Sequence, residues 1–197
     1  MSAAPETLRS APRRRVDASN NRALLLDAAE QVFLTEGTSA PLDLIASRAG
    51  VGRATLFRNF PDRLTLMRAL RDRALDRLQE RAQALRDDPN AFLELLRYCA
   101  QRIALSAPLV EYFRSMDPQQ DDQRAAAARY VRIFSGPMRR CVKAGLCRPD
   151  LQPTDILLLS ALLKARAIHL AQKRKKLAAR SWVLMLAAAG IEDTHGV

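Results

Sequence analysis

The chain has 197 residues, is rich in Ala, Leu and Arg, holds only seven glycines and ten prolines, and carries a formal net charge of +11. That length allows one or two domains with a sizeable core, the composition favours helix throughout, and no alternating strand run with hairpin signals occurs. The charge points towards a polyanionic partner, whereas Cys99, Cys141 and Cys147 form an odd set in neither CxxC nor Cys/His ligand spacing, which argues against a zinc site or a disulfide framework and for reduced thiols in a cytoplasm.

Residues 1–20 lack any apolar period and read as a flexible basic arm, with no apolar stretch of a secretory signal behind its arginines. Arg9, Arg13, Arg14 and Arg15 fit either a solvated tail or an arm reaching phosphates or a minor groove. Ser19, Asn20 or Asn21 is suited to cap a first helix. That helix carries Leu25, Ala28, Ala29, Val32 and Phe33 on one face and runs to Glu36, with Gly37 as its expected stop. Residues 1–66 hold nine Lys/Arg against seven Asp/Glu, so most of the charge excess lies further on. Individual arginines, not net charge, must therefore locate a nucleic-acid site.

Pro41 opens the next helix, in a first turn where proline costs no hydrogen bond. Leu42, Ile45, Ala46 and Ala49 follow at i, i+3, i+4 and i+7, one helical face. Gly50, Val51 and Gly52 break the period, since glycine tolerates turn dihedrals. A second short helix comes after, with Leu56 and Phe60 inward and Arg53, Ala54, Thr55, Arg58 and Asn59 outward, ended by Pro61. Helix, three-residue glycine turn, helix is the helix-turn-helix, whose second helix lies in the DNA major groove. On that helix Arg53 offers bidentate hydrogen bonds to guanine, worth about 1–3 kcal/mol of discrimination per good pair. Thr55 suits a thymine methyl or a phosphate, and Arg58 and Asn59 are exposed donors. Gly52 and Ala54 are small enough to let the backbone approach DNA. Arg48 and Arg63 flank the motif, Arg63 at a helix start as a phosphate clamp.

These positions also resemble the N-terminal signature of the TetR family of transcriptional regulators. In that family a buried Ile-Ala pair, then Ala-Gly-Val, then Thr-Leu-Tyr/Phe and a closing Phe recur at this spacing; here they stand as Ile45-Ala46, Ala49-Gly50-Val51, Thr55-Leu56-Phe57 and Phe60. The match extends upstream through Asp27-Ala28-Ala29, Phe33 and Gly37. It departs at Gly52, where a capping Ser is frequent, at Ala54 for Gly and at Arg63 for Lys. Phe57 replaces the commoner Tyr, keeping the packing and losing a hydroxyl that can bind a phosphate. The resemblance implies an all-α protein: a helix-turn-helix DNA-binding domain over residues 21–66, joined to a helical effector-binding and dimerisation domain over residues 67–197. It further implies a cytoplasmic homodimer on a palindromic operator of double-stranded DNA, a repressor that a small-molecule effector releases by moving the fourth helix, and no cofactor or metal.

Asp62 is a good N-cap for that fourth helix, which continues through Met67, Leu70, Ala74 and Leu78 until Asp88-Pro89-Asn90 closes it. The body then breaks at its prolines. Residues 91–105 carry Phe92, Leu95, Leu96, Cys99 and Ile103, and a short segment follows Pro108. Residues 121–144 carry Tyr130, Phe134 and Met138, with Gly136-Pro137 placed to kink the helix. Residues 145–150 resemble a common loop of the family. Thr154 or Asp155 opens a helix apolar nearly all round through Ile168, too short and too charged to span a membrane, which must be covered on two sides. The last helix has Trp182, Met185, Leu186 and Ala189 on one stripe before Gly190. In the family the last two helices form the dimer's four-helix bundle, which implies an interface of Leu158, Leu162, Ala165, His169, Trp182, Met185 and Leu186. Tyr98, Tyr112, Phe113, Met116, Tyr130 and Phe134 are candidates to line the effector pocket, or else are core. Lys164 and Arg166, on an otherwise apolar helix, need partners.

Two rival functions are set against this one. A constitutive or architectural DNA-binding dimer without an effector shares every reading-head feature. A helical enzyme has little behind it: two histidines, no HExxH, no glycine-rich phosphate loop and no nucleophile elbow leave no catalytic constellation.

Overall fold

The computed structural model describes residues 11–105, 107–115, 120–171 and 173–191, and among them it is helical without strands. Two compact units divide the chain, Met1–Leu70 and Arg71–Val197.

In the first unit α1 spans Ala11–Thr35, α2 Leu42–Arg48 and α3 Arg53–Asn59, followed by the start of α4, Arg63–Ala84. Helix α1 begins well before the cap expected at Ser19, Asn20 or Asn21, so these residues sit inside it. Pro12 falls in its first turn, where the missing N–H costs nothing, and Ala and Arg propagate helix well. Arg9 and the side chains of Arg13, Arg14 and Arg15 lie outside the described residues. Leu25, Ala29, Val32 and Phe33 of α1 are fully buried with Ile45, Leu56, Phe60, Leu66 and Met67. Each large apolar side chain so placed contributes about 1.5–3 kcal/mol. Gly37, at φ +82°, ends α1 in the left-handed conformation expected of it. Pro41 is the N-cap of α2, one residue outside the first turn expected for it. Asp62 caps α4: its carboxylate accepts from Thr65 N at 2.7 Å, and that bond holds the carboxyl below its usual range.

The second unit contains the rest of α4, α5 (Ala91–Leu105), α6 (Ala107–Arg114), α7 (Asp121–Lys143), a 3-10 turn at Pro153–Asp155, α8 (Ile156–Ala171) and α9 (Lys175–Ala189). Its core gathers Phe92, Leu95, Phe134, Met138, Leu159, Leu163 and Met185, with Phe92 edge-on to Phe134 at 6.1 Å. On α4 the inward stripe runs through Leu75 and Leu78, while Ala74 is exposed. Helix α7 runs unbroken through Gly136 and the buried Pro137. Gln152, not Thr154 or Asp155, caps the 3-10 turn: its N–H donates to Asp155 Oδ2 at 2.8 Å in a capping box.

One expectation is overturned here. Cys141, in the last turn of α7, and Cys147 are joined by a disulfide, their Cα atoms 5.5 Å apart. Gly145, at φ +71°, reverses the chain between them, which no standard cysteine spacing encodes. Cys99 alone is free and buried, and burial pushes its thiol up to about 12. The expected dimer face also divides. Trp182, Met185 and Leu186 are buried in their own unit's core, while Leu158 is 70% exposed. Leu162, Ala165 and His169 are half-buried. The apolar residues that α9 leaves exposed are Leu177, Val183 and Leu184, beside Leu157 and Leu158 on α8. Helix α9 has two apolar faces, and the more regular stripe is the one its own chain covers.

Candidate nucleic-acid interface

The turn between α2 and α3 is set by Gly50, at φ +67°, with Val51 N donating to Ala46 O at 3.1 Å. Gly52 is the N-cap of α3 and makes no side-chain cap; Thr55 N and Leu56 N donate to its carbonyl at 2.9 and 3.2 Å. Leu56 and Phe60 anchor α3 in the core. One helical side is thereby committed, and Arg53, Ala54 and Arg58 are left exposed, with Thr55, Phe57 and Asn59 half-buried.

The exposed donors are organised among themselves. Arg53 Nη1 donates to Asp43 Oδ2 of α2 at 2.9 Å, and its guanidinium stands 5.4 Å from the Phe57 ring centroid. Both side chains of the Arg53–Asp43 pair are largely solvated, so the pair is worth no more than about 1 kcal/mol. Arg58 Nη2 donates to Thr55 Oγ1 at 2.8 Å, and Asn59 Nδ2 to Thr55 O at 2.8 Å. Asn59 is thus partly spent on the helix end, whereas the Arg58 pair can open at little cost. Arg48 is exposed in the last turn of α2.

Arg63 departs from its expected role. Its Nη1 and Nη2 donate to the carbonyl oxygens of Thr38 and Ala40, each at 2.6 Å, and its guanidinium stacks over Phe33 at 5.8 Å. A half-buried arginine engaged on two carbonyls braces the loop between α1 and α2; it is not presented as a phosphate clamp. Two further residues shape the motif without having been expected to. Asp43 holds Arg53, and Arg22 donates to Asn59 O at 3.4 Å while stacking on Phe60 at 4.5 Å. Arg22 was signalled only by being an exposed cation on α1, and Asp43 only as an acidic residue in the first turn of α2.

The aromatic residues expected around an effector pack against the core or against one another. Phe134 is fully buried, and Tyr130 packs on it at 4.9 Å with its hydroxyl 2.9 Å from Ser160 Oγ. Burial pushes the Tyr130 pKa well up. Tyr112 and Phe113 lie edge-to-face at 5.4 Å on α6, Tyr98 packs half-buried against the core, and Met116 lies outside the described residues. None of the described ones lines the open cleft of about 580 Å³ between α4 and α7, which arginines dominate.

A family model described as bacterial regulatory proteins of the tetR family matches residues 25–70. Among solved structures, the chain is similar to a TetR transcription regulatory protein from Mycobacterium vanbaalenii at 27% identity and TM-score 0.63, covering 83% of this chain and 97% of that one. It is similar to the TetR transcriptional regulator SCO0520 from Streptomyces coelicolor at 26% identity and TM-score 0.59, covering 87% and 99%. SmeT of Stenotrophomonas maltophilia, the repressor of the multidrug efflux pump SmeDEF, shares the fold at 19% identity and TM-score 0.59, covering 90% and 95%. A search of curated proteins finds no match.

Proposed function

We propose that this chain, a TetR-family DNA-binding transcriptional regulator and not an enzyme, acts as a homodimeric repressor released from a palindromic operator by a small molecule. The observation that carries the reading is the exposed side of α3, where Arg53, Ala54 and Arg58 stand clear of the core that Leu56 and Phe60 anchor. Arg53 is the base-reading residue, through paired donors to guanine N7 and O6. Arg58 and Arg48 position the motif on the phosphate backbone, and Thr55 adds a methyl or hydroxyl contact. Repression is the mode of action of SmeT, which shares the fold.

The dimer is supported by the apolar residues that α8 and α9 expose, Leu157, Leu158, Val183 and Leu184, which a two-fold copy can cover in an isologous interface. Two reading heads then meet successive major grooves about 34–36 Å apart. An effector that favours a different separation of the heads lowers operator affinity by its difference in affinity for the two states. The rival, a dimer without an effector, is favoured by the filled packing around Tyr130 and Phe134. The arginine-lined cleft weighs against it.

The test is selection of bound DNA from a random pool, followed by titration of the selected site and of random DNA at several salt concentrations. Arg53→Ala should reduce the ratio of specific to non-specific affinity about 5- to 150-fold, the equivalent of roughly 1–3 kcal/mol, whereas Arg48→Ala should weaken both and flatten the salt slope. A ratio unchanged in Arg53→Ala overturns the reading face.

A further inference from the structure

We infer that the cleft between α4 and α7 binds an organic anion carrying two or more carboxylate or phosphate groups. As an effector site this rests on the repressor reading above; as an anion site it stands alone.

Most of the charge excess of the chain lies beyond residue 66, and part of it converges here. Arg129, Arg132, Arg139 and Arg140 follow one another along α7 at spacings that return to one helical side, and Arg86, just past the end of α4, closes the cleft opposite them. Arg129 and Arg132, three residues apart, repel along the helix, and the converging charges as a whole destabilise the cleft unless something neutralises them. The protein does so for two of the five. Arg129 donates to Asp76 at 2.6 Å and to Gln79 at 2.9 Å, and Arg86 pairs with Asp87 at 3.2 Å. Arg132, Arg139 and Arg140 form no ion pair among the described residues, and no carboxylate lines the cleft.

Shape and lining narrow the ligand. A volume of about 580 Å³ lies in the range of small-molecule sites. Charge converging on a concavity suits a compact polyanion, where a duplex would need an extended basic strip. Arg140 leans back over Gly136 along the cleft wall: its Nη1 lies 3.5 Å, ordinary van der Waals contact, from where a Cβ on that glycine would stand. Planar guanidinium forks match carboxylate and phosphate oxygens two at a time. Ile133, Pro137 and Ala82 supply apolar surface for a carbon frame between the acidic groups.

The experiment is isothermal titration of the full chain, without DNA, with benzene-1,2,4-tricarboxylate and with pyrophosphate. At least one probe should bind saturably, and Arg132→Gln with Arg140→Gln should weaken it about tenfold or more, two charge-assisted contacts being lost. Lys175→Gln with Lys176→Gln, which removes the same charge from the start of α9, should leave it unchanged. Arg132→Lys with Arg140→Lys should fail to restore full affinity, because an ammonium lacks the fork. Circular dichroism checks that each variant is folded. No saturable binding of either probe, or equal losses in the two charge-matched variants, overturns the site without touching the operator reading. An anion that binds as expected but leaves affinity for selected DNA unchanged overturns the effector role alone.

Discussion

The guanidinium of Arg63 donates to the carbonyl oxygen of Thr38 at 2.6 Å, across 25 residues of chain. With its second bond to Ala40 O and its stacking on Phe33, it ties the start of α4 to the loop that leads into α2. Arg63→Ala should therefore lower the unfolding free energy by about 1.5–3 kcal/mol, the range for hydrogen bonds to a charged group. The salt slope of DNA binding should stay close to wild type. Urea denaturation and salt-dependent titration check the pair of outcomes; an unchanged midpoint with a flattened slope would return Arg63 to the phosphate backbone. Lysine, with one point charge, should not rescue the loss.

Two left-handed glycines should respond differently to the same change. At Gly37 a Cβ would meet nothing within 4 Å, so Gly37→Ala should cost only the left-handed conformation, roughly 1–2 kcal/mol. At Gly190, φ +66°, a Cβ would stand 2.7 Å from Arg148 N, a backbone atom that itself donates to Ala189 O at 3.1 Å. Gly190→Ala should lower the melting temperature clearly more than Gly37→Ala. Equal shifts would mean that the loop at Arg148 yields.

The cysteines give a counting test. In the native, unreduced protein a thiol reagent should label nothing quickly, because Cys99 is buried and its thiolate is disfavoured up to about 12. Unfolding without reductant should expose one thiol, and unfolding with reductant all three. The raised pKa also has a sign. The contribution of the protonated Cys99 is fully present below the ordinary thiol range near about 8.5 and is lost as pH climbs towards 12. Alkaline unfolding should be delayed in Cys99→Ala relative to its own neutral stability; an identical pH profile would remove Cys99 from the account.

Charges on the two faces of α9 should have opposite consequences. Leu184 is exposed, so Leu184→Glu should leave the chain folded and shift it towards monomer. Leu186 is buried in its own unit, so Leu186→Glu should unfold that unit before any question of association arises. Light scattering with circular dichroism separates the two. A Leu184→Glu protein that remains dimeric and binds selected DNA normally would place the seam elsewhere.

These cases mark how far the chain is legible from its residues. The reading motif was, because short-range signals agree there: an i, i+3, i+4, i+7 face, a turn that needs Gly50 at positive φ, and inward Leu56 and Phe60. Arg63 was not, since its acceptors are backbone carbonyls of Thr38 and Ala40, and any residue supplies a carbonyl. On α9 the stripe of Trp182, Met185 and Leu186 is covered by its own unit's core, and periodicity identifies a face but not what covers it. The Cys141–Cys147 bond depends on the reversal at Gly145, a three-dimensional fact without a spacing rule. The start of α1 was missed because arginines read equally well as tail or as helix.

Asp43 offers Arg53 what guanine would offer, an acceptor at hydrogen-bond distance, within the free protein itself. If Arg53 reads bases as proposed, a base engages it by displacing this carboxylate. A sequence presenting one poor acceptor leaves the intramolecular pair closed; one presenting guanine's two acceptors opens it. The cost of opening, no more than about 1 kcal/mol for an exposed pair, falls on the sites that open it. Asp43→Asn should then tighten binding to the selected site more than to random DNA, and equal tightening would refute the competition. The carboxylate works as a threshold detector: it contributes nothing to the bound complex and sets how good a sequence must be before the arginine lets go.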